Sequence, residues 1–207
     1  MKLNLPNTIS IFPLNGVIFF PKTNLPLNIF EPKYLTLIND CIKSNKYMGM
    51  IQSKGGTSDV YSVGCLGKIT EHTKTKDGRV LINLTGINRF EIKSEINNDK
   101  IYREFEVSYE KFSEDQGLIK KQTVMVERIK EIYEKTKIFF KKNGLLLNWV
   151  EFEKLDEDQK INTLAMIAPI SNEEKQIILE SIRVDSKTKA LSKIIEFYLH
   201  ENSTNDL

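Results

Sequence analysis

The chain has 207 residues, 40% of them hydrophobic and 28% charged, which is ordinary for a globular protein and too apolar for a disordered one. Thirty Lys and Arg against 28 Asp and Glu leave a net charge of +2, which excludes nucleic-acid binding through bulk charge and a polybasic membrane anchor. Two Cys and two His exclude a four-ligand zinc site of the closely spaced kind. Cys41 and Cys65 have no CxxC spacing and read as buried thiols of a reducing compartment. Asn4, Pro6, Asn7 and Ser10 interrupt any signal-peptide core, and no window is apolar for long enough to span a bilayer. The expected location is the cytoplasm.

The first half reads as short strands: Ile9–Pro13, Val17–Phe20, Leu25–Phe30, Tyr47–Gln52, Val63–His72, Val80–Thr85, Arg89–Ser94 and Tyr102–Tyr109. They alternate apolar and polar residues or are punctuated by Gly, Pro, Asn and Asp. Asp77-Gly78 predicts a type I′ hairpin turn between the flanking strands. One helix interrupts them, starting at Pro32 and carrying Tyr34, Leu35, Ile38, Cys41 and Ile42 at helical spacing. Glu31, just before it, is placed to receive backbone N–H groups at the helix start.

Beyond Phe112–Gly117 the pattern becomes helical. Leu118, Met125, Ile129, Ile132 and Phe139 form one stripe of a helix that Asn143-Gly144 stops near Lys142. Asp156 with Gln159, and Ser171 with Glu174, have capping-box spacing. Pro169 must end the helix before it. Asp185 or Ser186 can cap the last helix, striped by Leu191, Ile194, Ile195, Tyr198 and Leu199. Runs of strands followed by runs of helices predict an α+β fold, with a β-rich part over residues 1–115 and an all-helical bundle over 116–207.

Several motifs, in order, carry a resemblance. Ile11–Pro21 (IFPLNGVIFFP), Leu25–Ile38 (LPLNIFEPKYLTLI), Val63–Ile92 with its Asp-Gly-Arg turn and its Gly-x-x-Arg-Phe ending, and Ile161–Glu180 (INTLAMIAPISNEEKQIILE) together resemble the N-terminal, substrate-binding domain of Lon proteases. The resemblance implies a PUA-like pseudo-barrel followed by a helical bundle, and a role in binding polypeptide clients, or a protease or chaperone partner. The chain departs from the family pattern at Lys22, where Gly is usual, at Asn28, where His is usual, and at Lys33, where Arg is usual. No GxxxxGK[ST] loop is present; the Gly67-Lys68 pair is followed by Ile69, so the phosphate cradle of an ATPase has no counterpart. The expectation is a stand-alone, non-enzymatic domain without cofactor or metal.

No residue carries a catalytic signature. His72 and His200 lack metal-ligand neighbours, and no Ser has a His/Asp constellation in sequence. Arg89, beside Phe90, is expected to pair with a carboxylate or carbonyl. Phe19, Met48, Met50, Trp149 and Phe152 are the candidate polypeptide contacts, since any of these sets left exposed would form a hydrophobic groove. Residues 118–142 hold eight cations against three Glu. Lys120, Lys121, Arg128, Lys135, Lys141 and Lys142 are therefore a candidate electrostatic face. Lys outnumbers Arg 25 to 5, so RNA binding through this helix or the PUA-like half is the second reading.

Overall fold

The computed structural model describes residues 4–55, 57–117 and 126–204. The chain forms two compact units, Met1–Ile119 and Lys120–Leu207. Leu118, Met125, Lys120 and Lys121 lie outside the described residues, as do the side chains of Arg128 and Ile129.

In the first unit β1 (Thr8–Leu14) and β3 (Tyr47–Gln52) run parallel. A parallel pair needs a crossover, supplied by β2 (Asn24–Ile29) and helix α1 (Pro32–Lys43). β3 continues antiparallel into β4 (Val63–Lys74), β4 into the 17-residue β5 (Val80–Ile96), and β5 into β6 (Glu104–Ser108). Because β6 also pairs with β1, the circuit β1-β3-β4-β5-β6 closes on itself, and β2 is added along the first part of β5. Closure is helped by register shifts that leave Thr70, Ile87 and Lys93 unopposed, since such bulges increase local bend and twist. The inner face is filled by Ile9, Ile11, Ile51, Leu66, Phe90, Phe105 and Val107.

Val80–Thr85 and Arg89–Ser94, expected as two strands, are one. Gly86 keeps the strand continuous while another segment crosses it. Its N–H donates to the Thr23 carbonyl at 2.9 Å and its carbonyl accepts from the Lys22 N–H at 2.8 Å. A Cβ there would lie 2.2 Å from the Phe20 carbonyl oxygen. Val17–Phe20 is correspondingly not a strand. Gly16 at φ +92° and Lys22 at φ +61° turn the chain at its two ends, while Ile18, Phe19 and Phe20 are all buried. Lys22 is thus a non-glycine in left-handed backbone. Lys22→Gly is expected to stabilise the unit by about 1 kcal/mol, read as a higher urea midpoint; an unchanged or lower midpoint would count against strain at this turn.

The Asp77-Gly78 turn also differs from expectation. Only Gly78 has positive φ (+87°), the Gly78 N–H donates to the Thr75 carbonyl at 3.1 Å and the Thr75 N–H to the Arg79 carbonyl at 2.9 Å. This is a three-residue loop ending in a left-handed Gly, the common alternative to the two-residue turn. Asp77 spends its side chain on Arg79 and Thr75, and those bonds hold its carboxyl at about 2. At the start of α1, the Glu31 carbonyl accepts from the Tyr34 and Leu35 amides at 2.9 Å, but its exposed side chain makes no capping bond. The extra methylene makes Glu a poorer cap than Asp. Pro32 occupies the first turn as expected.

The second unit is helical: α2 (Val126–Lys142), α3 (Trp149–Glu153), α4 (Glu157–Ile167), α5 (Asn172–Glu180) and α6 (Val184–Thr204). Asp156 caps α4 by accepting from the Gln159 N–H at 2.9 Å. Ser171 and Glu174 complete a reciprocal capping box on α5. α6 starts earlier than expected, so Asp185 and Ser186 lie within its first turn, and Asp185 pairs with Lys189 at 2.6 Å. α6 packs on α2, α4 and α5 through Leu191 and Ile195, and buries Lys187 beside Asn162 (3.0 Å) and Asp158 (3.5 Å) of α4. No helix among the described residues is long and apolar enough to cross a membrane.

Candidate functional site

The described residues bring no catalytic constellation together. They hold no group of three or more His, Cys, Asp or Glu suited to a metal. His72 and His200 are both exposed. Cys41 is buried and its thiol is pushed up to about 11 by desolvation, so it stays protonated and a poor nucleophile at neutral pH.

Arg89 is 1% exposed and forms a two-pronged pair with Asp115 of the 3₁₀ turn Glu110–Gln116. Nε donates to Oδ2 at 2.9 Å and Nη2 to Oδ1 at 2.8 Å, while the Arg89 backbone N–H donates to Oδ2 at 3.0 Å. The guanidinium also lies 4.3 Å from the Phe112 ring centre. This geometry fastens the turn to the barrel and leaves the guanidinium with no face toward solvent.

Four of the five candidate polypeptide contacts are core residues. Phe19, Met48, Met50 and Phe152 are buried, so no passing chain can touch them. β3 turns Gly49 into the barrel against Ile9, Ile11 and Phe90. Met48 and Met50 take the opposite face, and that face is covered as well. Trp149 alone remains half-buried.

Trp149 marks the surface that the other candidates do not. α2 ends at Lys142, and the Asn143 and Leu145 N–H groups donate back to the Phe139 and Phe140 carbonyls. The chain then runs Leu145-Leu146-Leu147 before Asn148 caps α3 through the Glu151 N–H at 3.2 Å. Leu147 and Phe152 have the spacing of a hydrophobic staple, which turns them inward; Phe152 is buried and Leu147 partly so. The neighbours face out: Leu146 is 100% exposed, Val150 70% and Leu145 37%. Three exposed large aliphatic side chains in six residues is a patch rather than scatter. The other exposed large apolar residues, Phe30, Leu81, Ile101, Ile138, Ile167, Ile177, Ile182 and Phe197, nowhere fall three within six consecutive residues.

Trp149, within the same stretch, belongs to an aromatic cluster. Trp149 contacts Tyr133 edge-on at 5.1 Å, Phe152 at 5.5 Å and Phe140 at 6.1 Å. Lys137 Nζ lies 3.9 Å from the Tyr133 ring centre and 5.5 Å from that of Trp149. The Tyr133 hydroxyl donates to Glu153 at 2.7 Å, and its pKa is raised, by desolvation first and then by that bond.

The candidate electrostatic face divides. Lys135 pairs with Glu131 one turn back on α2 and reaches across to Glu196 of α6 at 2.8 Å, so its charge is spent on holding α2 to α6. Lys142 lines an open groove of 610 Å³ with Glu196, Leu199 and His200. Lys141 is exposed and continues the i, i+4 series Tyr133-Lys137-Lys141 on α2. Sequence reasoning missed Leu145, Leu146 and Val150. The available signal was an apolar triplet in a connection between a helix stop and a helix cap, where polar residues are the rule.

Known proteins share this architecture. Residues 8–196 match the family model of the ATP-dependent protease La (LON) substrate-binding domain. The Lon protease of Desulfosudis oleivorans is 25% identical over 205 residues, which are 94% of this chain and 24% of that protein. Lon protease 1 of Hydrogenovibrio crunogenus is 22% identical over 202 residues, again 94% of this chain and 24% of that protein. The chain therefore spans about a quarter of the length of these relatives. Among solved structures, the N-terminal domain of the Mycobacterium avium complex Lon protease superposes with a TM-score of 0.65 at 14% identity, covering 91% of this chain and 98% of that one. A Lon N-terminal domain protein from Xanthomonas campestris gives 0.63 at 19% identity, covering 89% and 96%.

Proposed function

The chain belongs to the Lon substrate-binding domain family, and from that premise we propose that it is a non-catalytic module that captures exposed apolar segments of unfolded polypeptides at Leu145, Leu146, Val150 and the open edge of Trp149. The observation that carries the reading is the full exposure of Leu146 within this patch. A soluble chain keeps such a surface for contact with another molecule more often than for its own fold.

The mechanism is burial without bond chemistry. Covering one exposed Leu or Val side chain is worth about 1.5–3 kcal/mol. Two or three of them, less the cost of ordering a flexible client, leave a weak single-segment affinity on the order of 0.1 mM. Such a site favours long unfolded chains, which can rebind through successive segments, and releases them readily. In that role the module holds clients for a protease or chaperone partner.

Trp149 is the one tryptophan of the sequence and reports on the patch directly. Titration with a tryptophan-free, permanently unfolded polypeptide is expected to shift its emission, with the folded form of the same polypeptide silent. Leu146→Asp, a fully exposed position, should leave the fold intact and weaken the interaction about tenfold. Equal binding of folded and unfolded chains, or full binding by Leu146→Asp, would sink the proposal. The RNA reading draws on Lys141 and Lys142, since Lys135 and Lys137 already face carboxylates. It would be favoured over capture by an RNA affinity that falls steeply with salt.

A further inference from the structure

We infer that the Leu145–Val150 patch selects apolar segments flanked by carboxylates, so that its preferred client is an acidic, amphipathic stretch of unfolded chain. The inference rests on the capture reading above and names the class of segment that the site favours.

Selectivity arises from the charges around the patch and how each is engaged. Each carboxylate between residues 134 and 154 has a partner: Glu134 faces Lys137 at 3.3 Å, Glu151 faces Lys154 at 2.6 Å, and Glu153 accepts from Tyr133 at 2.7 Å. The cations are less fully engaged. Lys141 and Lys142 are exposed and carry no ion pair among the described residues. Positions 133, 137 and 141 lie on one stripe of α2, since residues four apart share a helix face. The first two are seen at the patch, because the Tyr133 ring touches Trp149 and Lys137 lies over both rings. Lys141 follows one turn later, in the last turn of α2 and four residues before Leu145. A client segment seated on Leu146 and Val150 thus meets a stretch, residues 134–154, with uncommitted ammonium groups and no unpartnered carboxylate. An acidic flank is attracted to it, whereas a basic flank meets like charge, and that difference sets selectivity more than it sets affinity.

The test compares two tryptophan-free peptides with the same apolar centre, one flanked by Asp and Glu, the other by Ser and Gln. Each is titrated into the whole chain while Trp149 emission is followed, at low salt and again at about 1 M salt, where screening is nearly complete. The acidic peptide is expected to bind about fivefold more tightly at low salt, the worth of one or two exposed ion pairs, and to lose that advantage at high salt. Lys141→Glu, at an exposed position outside the apolar contact, should reverse the preference while leaving the uncharged peptide's affinity unchanged. Equal affinities for the two peptides on the unaltered chain would overturn the selectivity and leave apolar capture standing. A preference that survives Lys141→Glu would overturn the assignment to this stripe. Failure of both peptides to bind would overturn the capture reading itself, and this inference with it.

Discussion

Replacing Arg89 by alanine is expected to destabilise the first unit by about 3–5 kcal/mol, because it strands the Asp115 carboxylate in the interior. Both side chains are nearly fully buried, at 1% and 3% exposure. Asp115 accepts three bonds from the one residue, two from the guanidinium and one from the backbone. Without the guanidinium, the carboxylate keeps the backbone N–H but loses its counter-charge where water cannot replace it. A loss of this size is a large share of the stability of any domain. Arg89→Lys should recover only part of it, since an ammonium cannot reproduce the flat two-pronged contact or the stacking on Phe112. The double change Arg89→Met with Asp115→Leu removes both charges together and should recover most of the loss. Urea unfolding followed by far-ultraviolet circular dichroism checks this series. A cost below about 1 kcal/mol for Arg89→Ala would mean that the pair is not enclosed.

Phe90→Ala is expected to cost a similar 3–5 kcal/mol, for a different reason. The Phe90 ring lies inside the closed strand circuit, opposite two glycines. A Cβ on Gly64 would come within 2.6 Å of the ring's Cζ and 2.5 Å of the Met50 carbonyl oxygen, and one on Gly49 within 3.1 Å of Cε1. The ring thus occupies the room that those missing side chains leave. A closed barrel has no free edge along which to collapse, so removing the ring leaves a cavity that its walls cannot close. Phe90→Leu should cost roughly half as much, because it refills part of the volume. The same urea series reads it. Near-neutral behaviour of Phe90→Ala would show that the barrel tolerates the void and that Phe90 is not its filler.

These two residues show what was legible in the sequence. The Gly-x-x-Arg-Phe run was visible as a motif, and of the two partners expected for Arg89, a carboxylate or a carbonyl, it meets the carboxylate of Asp115. What the run requires at each position needed three dimensions. Gly86 admits the Phe20–Thr23 backbone, Arg89 reaches Asp115 26 residues away, and Phe90 fills the barrel. Helix caps at Asp156 and Ser171 were legible because their partners lie three residues on. The strand expected at Val17–Phe20 was not formed, because its apolar run reads alike for a strand and for an irregular buried segment. The polypeptide contacts were least legible. Large apolar residues look the same in sequence whether they fill a core or face water, and burial sorted Met48, Met50, Phe19 and Phe152 into the core. The exposed set, Leu145, Leu146 and Val150, differs only in lying beside a helix stop and a helix cap.

The central claim is that unfolded clients are held at the α2–α3 connection. The most direct test places a photoreactive side chain at Leu146, and in a parallel protein at Phe30. Phe30 is also strongly exposed, at 63%, but lies in the first unit. Illumination with an unfolded polypeptide should crosslink efficiently from position 146 and at background level from position 30. Efficient crosslinking from position 30 with background labelling at 146 would contradict the account.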